Sequence, residues 1–195
     1  MTLPEPIAVT LTVTRVLEQL GVAYFIGGSL ASAVQGAARA TVDADVVADL
    51  RPEHVAPLVS ALGDAFYFDV NTIRKAVSTR GSFNLIHLQT MFKVDIFVNK
   101  GRPFDRAQFG RRVLQVLATD PAHSAYIASP EDTILAKLDW YRLGGEVSDR
   151  QWRDVIAVLK VQRGRLDERY LTAWAAQLGV VDLLAGAMAE AKKGE

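Results

Sequence analysis

The stretch GGSLASAVQGAARATVDADVV, residues 27–47, joins two apolar runs. It opens with two glycines and a serine at the end of VAYFI, and it closes with two aspartates one residue apart as the second run begins. Residues 22–26 and 43–50 read as strands, and residues 29–35, small and apolar, as a helix packed close to a sheet. In a strand, residues i and i+2 share a face, so Asp43 and Asp45 stand side by side with Cα atoms roughly 6.5–7 Å apart. Two carboxylates that close repel, and one tends to hold a proton unless a cation lies between them. Carboxylate oxygens are the ligands that Mg²⁺ takes. The competing reading of a bare Asp-x-Asp is a solvated strand end where two acids fall together.

A third carboxylate, Asp95, stands in FKVDIFV, an otherwise apolar run. A carboxylate there is costly to bury unless it is paired or coordinates something. It is either the exposed side of a half-buried strand, paired with Lys93 or an arginine, or a third ligand on a strand beside Asp43 and Asp45. Three carboxylates on adjoining strands suit two metal ions about 3.5–4 Å apart. Upstream, Gly27-Gly28-Ser29 lets backbone N–H groups approach an anion, with a helix N-terminus behind them. Its plain alternative is a strand-to-helix turn capped by Ser29. It is neither G-x-G-x-x-G nor a P-loop.

Outward from this stretch, residues 7–20 carry apolar positions at helical spacing and end at Gly21. Residues 52–62 read as a helix between Pro52 and Gly63, residues 66–70 as a short strand or turn, and Asn71 as the start of another helix. FNLIHLQTMFKVDIFVN reads as a hairpin, residues 83–88 and 92–98. Residues 111–117 and 126–128 are further candidate strands. Ser129-Pro130-Glu131-Asp132 matches a helix entry, and helices are expected at about 130–143, 149–162, 167–178 and 180–192. The expectation is an α+β mixed-sheet core over residues 1–128 with flanking helices, followed by a helical region over 129–195.

Gly27-Gly28-Ser29, Arg39-Ala-Thr41-Val-Asp43-Ala-Asp45 and the later Asp95 together resemble the DNA polymerase β-like nucleotidyltransferase superfamily. With SPEDTILAKLDWYR and RDVIAVL, the chain is similar to the AbiEii-type group of bacterial toxin nucleotidyltransferases over roughly residues 15–165. The resemblance implies transfer of a nucleoside monophosphate from an NTP to an acceptor hydroxyl, with Mg²⁺ or Mn²⁺, two ions, on Asp43, Asp45 and Asp95. Asp95 would also orient or deprotonate the acceptor. Gly27, Gly28, Ser29 and Arg39 would serve the nucleotide, Gly28 and Ser29 at the β/γ-phosphates. Lys137 would meet the triphosphate, and Asp154 would fix Lys137 or bind base or acceptor, with Asp139 and Asp149 as rivals. The acceptor is a tRNA, a protein or a small molecule of antibiotic type, and a toxin implies an antitoxin partner. The plain alternatives are a surface lysine at 137, a structural Arg39 and a non-catalytic nucleotide-binding module.

Composition is consistent with this class. The 195 residues are 50% hydrophobic with a formal net charge of +0, so no whole-chain basic field points to nucleic acid. Arg102, Arg106, Arg111 and Arg112 cluster locally, and Arg74, Lys75 and Arg80 are candidates for a phosphate. The chain has no cysteine, which excludes disulfides and thiolate chemistry, and His54, His87 and His123 lack ligand spacing. His87 reads as structural, and Trp140, Trp152 and Trp174 as helix-packing residues. The N-terminus shows no signal-peptide pattern and no run approaches a membrane span of ~18–20 residues, so a cytoplasmic protein is expected. The chain is shorter than the toxin pattern.

Overall fold

The computed structural model describes residues 4–37, 40–119 and 122–193. The chain divides into two compact units, Met1–Leu30 with Thr41–Ile127, and Ala31–Ala40 with Ala128–Glu195. The architecture is α+β, a mixed sheet with flanking helices followed by a helical C-terminal region.

In the first unit the strands are β1 (Tyr24–Ile26), β2 (Asp43–Ala48), β3 (Phe66–Tyr67), β4 (Ser82–His87), β5 (Lys93–Val98), β6 (Val113–Thr119) and β7 (Ala122–Ile127). Among the described residues they form one sheet in the order β3-β4-β5-β2-β1-β7-β6. β2 runs parallel to β5 and β1 parallel to β7, while the remaining neighbours are antiparallel. Ala44, Val46 and Ala48 of β2 and Val94, Ile96 and Val98 of β5 are buried on one face. They share a core with α1 (Glu5–Gln19), α3 (Val55–Leu62) and α4 (Val70–Thr79). Each fully buried Val or Ile side chain contributes about 1.5–3 kcal/mol. A one-residue slip would send aspartates into this core, so the apolar alternation also fixes the face on which Asp43, Asp45 and Asp95 stand.

Local chemistry explains the element ends. Gly21, at φ +66°, closes α1, as its position after the apolar repeat suggests. Pro52 opens a single 3₁₀ turn, Pro52–His54, before α3 rather than one continuous helix. Asp69 caps α4, its Oδ1 accepting from the Thr72 N–H at 2.6 Å.

One helix falls where no element was expected. In α5 (Pro103–Arg111) the buried side chains are Phe104, Asp105 and Gln108, so no apolar stripe marks it. Its sequence signal is Pro103 in the first turn with Asp105 accepting from the Arg102 N–H at 2.9 Å. Phe109 of α5 packs edge-on against Phe25, with ring centroids 5.1 Å apart. The arginine cluster is largely spent here. Arg102 is forked onto Asp105, Arg106 donates to the Gly101 carbonyl, and Arg112 lies 4.7 Å above the Tyr126 ring. β6 and β7 form a hairpin, with β7 starting at Ala122 rather than Tyr126.

The second unit contains α6 (Pro130–Leu143), α7 (Asp149–Val161), α8 (Glu168–Leu178) and α9 (Val181–Lys192). Ser129 caps α6 by accepting from the Asp132 N–H at 3.1 Å. The Tyr170 hydroxyl donates to Asp132 at 2.7 Å and the Asp167 N–H to Glu131 at 2.9 Å, which ties α8 to the start of α6. The last residues of α2 (Gly28–Gln35) belong to this unit, where Gln35 Nε2 donates to the Ala128 carbonyl and Gln162 Nε2 to the Gln35 carbonyl. Of the three tryptophans, Trp140 is 55% exposed, more than its helix-packing spacing suggests. Trp152 donates to Glu190 and lies against Tyr141. Among the described residues no helix is long and apolar enough to cross a membrane.

Hydrogen bonds from Thr72 hold the Asp69 carboxyl below its ordinary value of 3.8. A lowered folded pKa gives stability that is full above the ordinary value and lost as pH falls through the folded one. Asp69→Ala is therefore expected to lower the melting temperature at neutral pH, with the gap from the parent closing below pH 3.8. Thermal melts from pH 7 to pH 2 check this, and a gap independent of pH contradicts it.

Candidate active site

β1 runs against β2, so its C-terminal end lies beside the N-terminal ends of β2 and β5. The chain leaves β1 through Gly27, whose N–H donates to the Asp45 carbonyl at 2.8 Å. Gly28 then opens α2 at φ +55°. A Cβ at Gly28 would stand 1.7 Å from Asp45 Oδ2, so only glycine lets this backbone pass over that carboxylate. Gly28 is thus required by close approach of the turn to the second aspartate, whereas a Cβ at Gly27 would meet only Phe25, at an ordinary contact distance of 3.9 Å. Ser29 follows in the first turn of α2.

The β2–β5 register pairs Asp45 with Asp95 and Asp43 with Lys93. All four side chains occupy the partly exposed positions of strands whose alternate residues are buried. Asn84 of β4 is paired with Asp95 from the other side. Thr41 donates to the Asp43 carbonyl at 2.7 Å. Lys93 Nζ lies 2.7 Å from Asp95 Oδ2, so the ion pair with Lys93 is one that Asp95 makes. The hydrogen bond to Asp95 raises the Lys93 pKa above its ordinary value, against a smaller opposing effect of partial burial, and Asp43 and Asp45 add to the rise.

Three carboxylates of hard oxygen donors on one sheet face suit Mg²⁺ or Mn²⁺ by donor chemistry. The turn through Gly28 keeps the space over Asp45 free of any side chain of its own. Among the described residues no three His, Cys, Asp or Glu side chains already converge as a metal site. In the arrangement observed, an ammonium takes the Asp95 oxygen.

Arg39 lies outside the described residues. Lys137 and Asp154 belong to the helical unit. Lys137 is 8% exposed, which removes the reading of a solvated helix lysine. Its Nζ donates to Asp154 Oδ2 at 2.9 Å, and the Ser32 hydroxyl reaches the same oxygen at 3.4 Å. Arg74 donates to Asn71 and Arg80 to the Asn99 carbonyl, while His87 Nδ1 and Thr90 Oγ1 are hydrogen-bonded at 2.9 Å.

No family model and no curated protein matches the chain. Solved structures do. The chain is similar to an antigenic nucleotidyltransferase-like protein from Paracoccidioides brasiliensis, at 16% identity and a TM-score of 0.58 over 93% of this chain and 90% of that one. It is similar to the antibiotic-resistance factor ANT(2'')-Ia at 11% identity and a TM-score of 0.57, over 94% of this chain and 99% of that one. It is similar to the lincosamide antibiotic adenylyltransferase LnuA at 13% identity and a TM-score of 0.50, over 83% and 99%. The fold is shared with nucleotidyltransferase-like structures.

Removing one partner of a buried pair leaves an uncompensated charge, at a cost of about 3–5 kcal/mol. Lys137→Met is expected to lose stability on that scale, and adding Asp154→Leu to restore most of it. Denaturant unfolding of both variants measures this, and a Lys137→Met protein as stable as the parent contradicts it.

Proposed function

We propose that the chain is a metal-dependent nucleotidyltransferase that moves a nucleoside monophosphate from an NTP to an acceptor hydroxyl and releases pyrophosphate. The observation that carries this reading is the Gly28 backbone passing over the Asp45 carboxylate, with Asp43 and Asp95 on the same face of two parallel strands. The fold shared with nucleotidyltransferase-like structures supports it. A surface that pairs a backbone turn with carboxylates suits an anionic ligand only when cations accompany it, and an NTP arrives with such cations.

The acceptor oxygen forms a bond to the α-phosphorus as the bond from that phosphorus to the bridging β-phosphate oxygen breaks. Pyrophosphate leaves with the electron pair, and the hydroxyl proton passes to a base, for which Asp95 is the candidate. Asp43, Asp45 and Asp95 would hold Mg²⁺ or Mn²⁺, which supplies charge neutralisation on the triphosphate and a more acidic acceptor hydroxyl. Gly27, Gly28 and Ser29 would orient the phosphates, Ser29 through its hydroxyl. Catalysis of this kind is positioning plus charge stabilisation.

The AbiEii-like motif at residues 129–142 supports a toxin acting on tRNA or protein, held by an antitoxin. Likeness to two structures named for antibiotics supports a second reading, a small hydroxylated acceptor. A nucleotide-binding module without turnover is the third.

Purified protein with each α-labelled NTP and Mg²⁺ or Mn²⁺ separates these, given tRNA, no added acceptor, or a panel of hydroxylated antibiotics that includes lincosamides. Label is expected to reach one acceptor class, with Asp43→Asn and Asp45→Asn each reducing transfer by about a hundredfold or more. Either variant transferring at the parental rate refutes the mechanism. Metal-dependent NTP binding without pyrophosphate release would favour the binding module.

A further inference from the structure

The carboxylate face contains a group that the proposed reaction does not use. Lys93 stands two residues before Asp95 on β5, directly opposite Asp43 on β2. Strand alternation places its side chain on the same face as all three aspartates. Its ammonium lies 2.7 Å from Asp95 Oδ2, with the lysine side chain 40% and the aspartate side chain 21% exposed. On the opposite face, Val94 and Ile96 anchor the strand in the core, so the pair cannot separate by moving the backbone. It can separate by rotation of a lysine stem with four rotatable carbons.

We propose that Lys93 is a tethered cation of this site. Its ammonium holds Asp95 Oδ2 and must leave before a divalent ion takes that oxygen. The chain therefore binds one ion firmly through Asp43 and Asp45, and a second at Asp95 only in exchange for Lys93. This inference rests on the metal-dependent reading above and adds to it a rule of occupancy.

The argument is one of charge and space. An ammonium is a compact point charge with three donors, and at 2.7 Å it fills a lone-pair direction of the oxygen it touches. A divalent ion binds a carboxylate oxygen at 2.0–2.1 Å when it is Mg²⁺, which leaves no room for the ammonium on that lone pair. The two cations also repel, so occupancy of Asp95 by one disfavours the other. With Lys93 seated, Asp95 already has a cation on one of its oxygens. Once displaced, the ammonium swings within the reach of its stem and offers a positive charge to an incoming phosphate.

The test is Mn²⁺ binding to the unliganded full chain, read by electron paramagnetic resonance as free against bound ion and by calorimetry as stoichiometry. Parent, Lys93→Met, Lys93→Gln, Lys93→Arg and Lys93→Met/Asp95→Asn proteins are compared after far-UV circular dichroism shows the parental fold. The parent is expected to bind one ion tightly. Both Lys93→Met and Lys93→Gln should strengthen the second ion by about tenfold, the scale of releasing a partly exposed ion pair and a like charge beside the ion. Lys93→Arg, which keeps the charge, should stay near the parent, and Asp95→Asn should cancel the gain of Lys93→Met. Parental stoichiometry and affinity in Lys93→Met and Lys93→Gln overturn the inference while a single ion lost with Asp43→Asn leaves the metal reading standing. No Mn²⁺ binding in any of these proteins overturns both.

Discussion

The structure depends on the register of β2 against β5. These parallel central strands alternate buried aliphatic residues with polar ones, and the pairing of Ala44 with Val94 and Val46 with Ile96 is the same event as the pairing of Asp43 with Lys93 and Asp45 with Asp95. Hydrophobic burial on one face supplies the energy that holds like charges together on the other. Like charges opposed across a sheet are destabilising, so the aspartates occupy a position the core imposes on them. The turn of Gly27 and Gly28 over Asp45 belongs to the same constraint, because β1 continues the register on the other side of β2.

Two kinds of charge burial follow, one in each unit. Lys137 and Asp154 are almost wholly removed from water and answer each other directly, with Ser32 reaching the same oxygen. Such a pair costs desolvation that its attraction roughly repays, and it is intolerant of losing one member. Lys93 and Asp95 keep partial access to water and sit beside two further carboxylates. Their contact is cheap to break, which suits a site that exchanges one cation for another. The first pair constrains the helical unit, and the second can respond to a ligand.

Much of this was legible in the residues, for identifiable reasons. Period-two alternation placed Asp43, Asp45 and Asp95 on strands, and the Ser129-Pro130 entry placed α6, because each rests on a strong local preference. α5 was not legible, since its buried face includes Asp105 and Gln108 and gives no apolar period. β7 begins earlier than its apolar residues suggest, because it is held by pairing with β6 at Ala122 and His123 rather than by side-chain burial. Trp140 reads as a packing residue from spacing alone, yet its position on α6 faces outward. That Asp95 stands opposite Asp45 is a matter of cross-strand register, which no single-strand pattern contains. The Lys93 contact exists because i and i+2 share a face, and the sequence offered it as one alternative among several.

The most direct test of the central claim is the position of metal in a crystal of the protein soaked with Mn²⁺ and a non-hydrolysable NTP analogue, read from anomalous scattering. The account predicts a peak bound by Asp43 and Asp45, with the triphosphate beside Gly28 and Ser29. Anomalous density elsewhere, or a nucleotide bound away from the Gly27–Gly28 turn, would contradict it.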